Sequence, residues 1–209
     1  KYAIVTGGSR GIGRAIALGL ADAGADVLLT YREKSTEAEA VIKAIEAKGR
    51  RAKAVRMDVT DRASIDAAVK TADAFGAISI LVNNAGINKP TDFDQITDAD
   101  WDNILATNLK GPFMAAQAFL PLLKKAGGGA MVHIGSVSGQ YGGPRTAHYA
   151  APEAGLGSLG QGSARFGPAL MQLESLGAYH TAPLPYGGEP LPNPGSIQIA
   201  SRGEYVVGV

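Results

Sequence analysis

The sequence contains no cysteine. That excludes disulfide bridges, a thiol nucleophile and zinc–thiolate sites. No lysine follows Lys125 and no aspartate follows Asp102, although the chain has 209 residues. The apolar runs are far too short to span a bilayer, and no secretory leader pattern opens the text. Charge of one sign is missing too: 20 Lys+Arg stand against 19 Asp+Glu, a net charge of +1. That balance gives no argument for nucleic acid or a membrane surface as partner. The expectation is a soluble, cytoplasmic protein folded as a single domain over residues 1–209, with 45% hydrophobic residues to build its core. The text begins at Lys1, one residue before the first apolar run and without an initiator methionine, so the native N-terminus is expected further upstream.

What the sequence does contain is a regular alternation of short apolar runs and amphipathic segments. "YAIVT" (2–6) reads as a buried strand, followed by "GGSRGIG" and a helix ending at Gly24. Strands are predicted at 26–31, 52–59 and 78–86, the last ending in a turn, and a fifth, with its loop, at 130–139. Helices are predicted at 35–49 with Ser35 as N-cap, at 61–76, and as one long helix over 97–125 with a kink near Gly111–Pro112. Strict alternation of this kind predicts an α/β fold, a Rossmann-type doubly wound parallel sheet with helices on both faces. Ligands of such sheets bind at the carboxyl ends of the strands, where "GGSRGIG", "YREKS", "MDV", "NNAG" and "SVSG" all fall.

The character changes after about residue 151. Seven of the 11 prolines and eleven of the 28 glycines lie in 152–209. "GLGSLGQGSARFG" (155–167) keeps helical spacing, weakened by Gly157, Gly160 and Gly162, while 182–195 is too rich in proline and glycine for regular structure. Residues 151–209 are therefore set apart as an atypical C-terminal segment.

In "TGGSRGIG" the glycines let a strand turn sharply into a helix and let a pyrophosphate approach the backbone at the helix N-terminus. An ordinary glycine-rich turn is the alternative; the strand before and helix after favour the nucleotide. At the tip of the second strand, "LLTYREKS" has no acid to bind a ribose 2′-hydroxyl. Arg32 stands there instead, with Arg10 in the glycine loop. Two guanidinium groups suit a 2′-phosphate, although solvated surface arginines and the adjacent Glu33 offer another reading.

Together with "NNAG" (83–86), "TNLKGPF" (107–113), Ser136 and Tyr149, this loop makes the chain resemble the short-chain dehydrogenase/reductase family. It is most similar to the NADP(H)-dependent members related to 3-oxoacyl-carrier-protein reductases. The resemblance runs from residue 2 to about 151 and implies roles by position. Gly7, Ser9, Arg10, Gly11, Ile12 and Gly13 would hold the phosphates of NADP(H). Asp58 and Val59 would bracket the adenine, and Asn83, Ala85 and Gly86 would line the ribose and nicotinamide side. Asn108 would hold a water of the proton relay, Ser136 the substrate oxygen, and Tyr149 would be the acid/base. The reaction implied is reduction of a small-molecule carbonyl to a secondary alcohol, in a homo-oligomer expected to be a tetramer.

One position departs from the pattern. The family carries a lysine four residues after the tyrosine; here that residue is Glu153, preceded by Pro152. A free tyrosine ionises near ~10, and a nearby ammonium would lower that value. An ionised carboxylate would act in the opposite direction and offers only acceptors. Two function classes follow: an active ketone reductase, or a nucleotide-binding relative with little turnover. The chain is also shorter than the resemblance implies, with eroded forms of the family's closing elements at "GGEP" and "SRGEYVVGV". The expectation drawn from this is that part of the text beyond 151 is not that of the molecule, with a lysine at 153; the alternative is a natural inactive relative.

The remaining candidates point to no further chemistry. His133 reads as a packed strand residue, His148 as a pocket-rim or surface residue, and His180 as part of the irregular tail; they share no metal-ligand spacing, so no metal is expected. Asp92, Asp94, Asp98, Asp100 and Asp102 suit a loop and a helix first turn.

Overall fold

A computed structural model describes residues 1–164, with backbone alone for 161–164. His180, the 182–195 segment and the closing motifs lie outside the described residues. Five parallel strands form one sheet in the order β3-β2-β1-β4-β5: β1 (Tyr2–Val5), β2 (Asp26–Tyr31), β3 (Ala52–Arg56), β4 (Ile78–Asn83) and β5 (Ala130–His133). The connecting helices are α1 (Gly11–Asp22), α2 (Ser35–Glu46) and α3 (Arg62–Phe75), then α4 (Asp98–Leu105) and α5 (Gly111–Lys125). A one-turn α6 (Ser138–Tyr141) and α7 (Ala147–Ala164) follow. The chain winds outward from β1 to β3, then returns to place β4 on the other side of β1. That reversal opens a crevice at the carboxyl ends of β1 and β4.

Strand period decides which residues enter which core layer. Ala3, Val5, Val27 and Leu29 face one way and pack with Ala17, Ala21, Val41 and Ile45 of α1 and α2. Ile4, Leu28 and Leu81 face the other way and pack with Ile65, Phe75, Met114 and Phe119 of α3 and α5. Both layers are fully buried apolar surface, as a sheet covered on both faces requires.

Local signals explain most boundaries. Asp61 caps α3 by accepting from Ala63 N at 3.0 Å, and Thr97 caps α4 by accepting from Asp100 N at 3.1 Å. Ser35 does not cap α2: it is the first helical residue, Lys34 occupies the cap position, and no side chain bonds there. The predicted 97–125 helix is interrupted by a π-turn at Ala106–Lys110. Pro112 has no N–H with which to continue the ladder, and Gly111 lies against Val59, where a Cβ would come within 2.9 Å of Val59 Cγ2. Such turns widen a helix by one residue and often mark functional positions; this one carries Thr107 and Asn108. α7 runs through Pro152 and Glu153, both buried. Among the described residues no helix is long and apolar enough to cross a membrane.

Candidate active site

The crevice holds two adjoining clefts. The larger, about 460 Å³, is lined by the glycine loop from Gly7 to Gly13, by Arg32 at the tip of β2, by Asp58 and Val59 after β3, and by Asn84 to Ile87 after β4. The smaller, about 210 Å³, runs on from it along Ile12 and Asn84 to Ile87 and ends at Asn108, Tyr149 and Glu153. Ile12, 58% exposed, stands on the shared wall.

The glycine loop is built for a ligand that approaches the backbone. Gly7 and Gly11 have φ of +64° and +54°, which favour glycine. At Gly13 a Cβ would collide with Gly7 O and Asn84 Nδ2. The first intrahelical bond of α1 runs from Arg14 N to Arg10 O at 3.1 Å, so the amides ahead of it are free of the ladder. No acid occupies that first turn. Thr107 Oγ1, buried on the wall of the larger cleft, has no hydrogen-bond partner among the described residues. A polar phosphate-bearing ligand such as a dinucleotide fits this surface.

Every residue predicted for the cofactor lines the larger cleft except Asn83. Asn83 lines the smaller one, 2% exposed, with its amide donating to Pro112 O (3.4 Å) and to His133 Nδ1 (3.3 Å). Its neighbour Asn84, which sequence reasoning passed over, is the brace of the glycine loop. Asn84 Nδ2 donates to Thr6 O (2.9 Å) and Gly7 O (3.2 Å), and Asn84 N donates to Thr6 Oγ1 (2.9 Å). Asn83 ends β4, and Asn84 is the first residue of the loop that follows it. Lys34 also lines the larger cleft, a third cation beside Arg10 and Arg32. Arg32 Nε is 3.2 Å from Glu33, an exposed pair. Burial works to raise the Asp58 pKa, but hydrogen bonds from Thr60 N and Oγ1 outweigh it and the carboxyl is held below its usual range.

The three residues predicted for catalysis lie on the π-turn (Asn108), on the loop after β5 (Ser136) and on α7 (Tyr149). Ser136 follows β5, where its Oγ accepts from Ser138 N at 3.2 Å, and Tyr149 on α7 lines the smaller cleft. Asn108 is 3% exposed and fully engaged: Oδ1 accepts from Ile87 N (2.9 Å), and Nδ2 donates to Ile87 O (2.9 Å) and to Glu153 Oε1 (3.0 Å). Glu153 is 7% exposed. Burial pushes its carboxyl up to about 7, against the Asn108 bond, which lowers it. Burial also raises the Tyr149 phenol, and Glu153 raises it further; the nearby Ser136 works the other way. Burial holds His133 down to about 4, so it is neutral near pH 7.

His148 departs from expectation. It is neither at a rim nor on the surface but 0% exposed, and neither ring nitrogen has a partner among the described residues. Helical spacing puts it on a different face of α7 from the cleft-facing pair Tyr149 and Glu153, a distinction that adjacency to Tyr149 in the sequence conceals. Among the described residues no cluster of His, Asp or Glu could hold a metal ion.

The chain thus combines a doubly wound parallel sheet, a glycine-rich loop at its crevice and a tyrosine in the adjoining cleft. The profile of the family described as short chain dehydrogenase matches residues 1–165, and the chain belongs to that family. It is 40% identical over 166 residues to a 3-oxoacyl-[acyl-carrier-protein] reductase of Staphylococcus aureus, covering 79% of this chain and 68% of that one. A 3-oxoacyl-[acyl-carrier-protein] reductase of Synechocystis is 41% identical over 157 residues, covering 75% and 64%. The crystal structure of a dehydrogenase/reductase from Sinorhizobium meliloti 1021 superposes with a TM-score of 0.74 at 39% identity, over 82% of this chain and 69% of that one. This chain spans about two thirds of the length of these relatives.

Proposed function

We propose that this chain is an NADP(H)-dependent oxidoreductase that reduces a ketone, a 3-oxoacyl compound or a related carbonyl, to a secondary alcohol, with Tyr149 as the acid. The observation that carries the reading is the position of Tyr149 in a cleft that shares Ile12 and Asn84 to Ile87 with the glycine-loop cleft. The likeness to two 3-oxoacyl-[acyl-carrier-protein] reductases supports the substrate class. When bound, the nicotinamide supplies a hydride. The first-turn amides of α1 receive the phosphates, and Arg10, Arg32 and Lys34 favour an additional 2′-phosphate. Ser136 and Tyr149 hold the carbonyl oxygen, and Tyr149 gives it a proton as negative charge develops there. Asn108 ties the π-turn to Ile87 and Glu153, and so sets the floor of the smaller cleft. In this reading the protein is one cytoplasmic domain that works as a homo-oligomer, without nucleic acid or membrane.

The experiment is turnover of NADPH with a panel of ketones and a 3-oxoacyl thioester, beside Tyr149→Phe. Turnover in the parent chain, lost in the phenylalanine variant while NADPH still binds, is the expected result. NADPH binding without turnover at any pH would instead support the second reading, a nucleotide-binding relative silenced by Glu153. The observation behind that second reading is that the Tyr149 pKa is raised rather than lowered.

A further inference from the structure

We propose that Glu153 is the proton gate of this site: with its carboxyl protonated the site reduces carbonyls, and with it ionised the site stops. The inference rests on the reductase reading above and adds its regulation. Glu153 and Tyr149 share one face of α7 a turn apart and line the same small cleft. Oε1 is held by Asn108 at 3.0 Å. Oε2 faces Gly135, 3.7 Å from where a Cβ would stand on that residue.

Among the described residues no cation is paired with this carboxyl. On α7 its titratable neighbours are Tyr149 and the fully buried His148. On the π-turn it meets Asn108; Lys110 lies with Asp102 in a separate groove. Past β5 it meets Gly135 and Gly139, and His133 on β5 is neutral near pH 7. α6 has no charged residue, and Arg145, just ahead of α7, is paired with Asp92 at 3.1 Å. Among the described residues, the charge on Glu153 is therefore the one that stands closest to Tyr149 in the cleft. Burial sets its titration at about 7.

During reduction the carbonyl carbon gains the hydride lost by the reduced nicotinamide. The carbonyl π pair becomes an O–H bond with the proton from Tyr149, and Tyr149 recovers a proton from water in the open cleft. Negative charge thus builds first on the substrate oxygen and then on the phenol. An ionised Glu153 one turn away repels both, slowing the step by roughly 10–100-fold. Alcohol oxidation needs tyrosinate, which the same charge disfavours, so the gate leaves reduction at mildly acidic pH as the open direction.

The test uses the full chain, its Glu153→Gln variant and its Glu153→Lys variant. Parent kcat/KM for ketone reduction is expected to fall by about tenfold or more between about pH 5.5 and 8.5, and Glu153→Gln to remain flat at the higher level. In the cofactor-free protein, the infrared band of a protonated carboxyl should disappear near neutral pH and be missing from Glu153→Gln. The same fall in the glutamine variant, or a band already lost below about pH 5, the ordinary range of a carboxylate, overturns the gate while leaving the reductase reading standing. No turnover at any pH in all three proteins sinks the reductase reading, and the gate with it.

Discussion

Asn108 Nδ2 donates to Glu153 Oε1 across 3.0 Å, joining a π-turn to a helix 45 residues further on. The amide is shared with Ile87 O, and its own oxygen is taken by Ile87 N. One side chain thus ties the wall after β4 to the helix that carries Tyr149. A carboxyl in this position is neutral more readily than it would be in water, and that has a thermodynamic consequence.

Glu153 is raised in the folded state from 4.5 to about 7, so its contribution is present at low pH and is lost as pH rises through that range. His133 is lowered from 6.5 to about 4, so its contribution is present above 6.5 and is lost as pH falls toward 4. Each shift corresponds to about 3 kcal/mol. Between 4.5 and 6.5 the unfolded chain charges both groups and the folded chain neither, so the two proton counts cancel. Denaturant unfolding should therefore give a stability nearly independent of these groups in that window. Glu153→Gln should uncover a loss of stability on acidification, and His133→Asn a loss on raising pH. A parent profile as steep as either variant's would contradict the pairing.

Gly13→Ala should damage the site through geometry alone. Its Cβ would meet Gly7 O and Asn84 Nδ2, both parts of the braced loop. The expected cost is roughly 1–3 kcal/mol, together with loss of nucleotide binding by calorimetry. Gly11→Ala meets no atom within 4 Å but has φ +54°, so it should cost about 1 kcal/mol of backbone strain and leave the loop's packing intact. Equal effects of the two changes would argue against the cradle.

NADPH should bind more tightly than NADH, since Arg10, Arg32 and Lys34 are all among the residues lining the larger cleft. The double change Arg10→Ala, Arg32→Ala is expected to weaken NADPH by roughly tenfold or more, the scale of a lost charge-assisted contact, and to leave NADH nearly unchanged. Fluorescence titration of both cofactors decides; equal starting affinities would remove the argument.

α4 and α5 leave apolar surface outside the core. Leu105, Leu109, Phe113 and Leu159 line a groove between Asp102 and Lys110, and Trp101 and Phe113 are 39% and 43% exposed. A homo-oligomer, expected to be a tetramer, would cover this face. Phe113→Asp should then shift the sedimenting species to smaller mass at unchanged helix content. A parent protein sedimenting only as a 21.4 kDa chain would count against it.

Much of this was legible in the text because it is local. Strand and helix positions follow from periods of 2.0 and 3.6 residues, and all five strands were foreseen, with β2 at the same bounds. The glycine loop declares itself through glycines that a tight strand-to-helix turn requires. Ser136 and Tyr149 were singled out through family resemblance, not through spacing. What was misread depends on direction. Ser35 has the chemistry of a cap but sits inside the first turn of α2, and His148 has the chemistry of a rim residue but faces the interior.

The sequence by itself determined the alternating fold, the crevice where nucleotide chemistry would sit and the presence of an acid where the family carries a base. Each of these is carried by residue type and near-neighbour spacing. Tertiary structure alone decided what that acid experiences. Burial, the Asn108 amide from a π-turn and the absence of a facing cation among the described residues come from elements distant in sequence. A carboxyl's protonation depends on its surroundings in space, which no local pattern encodes.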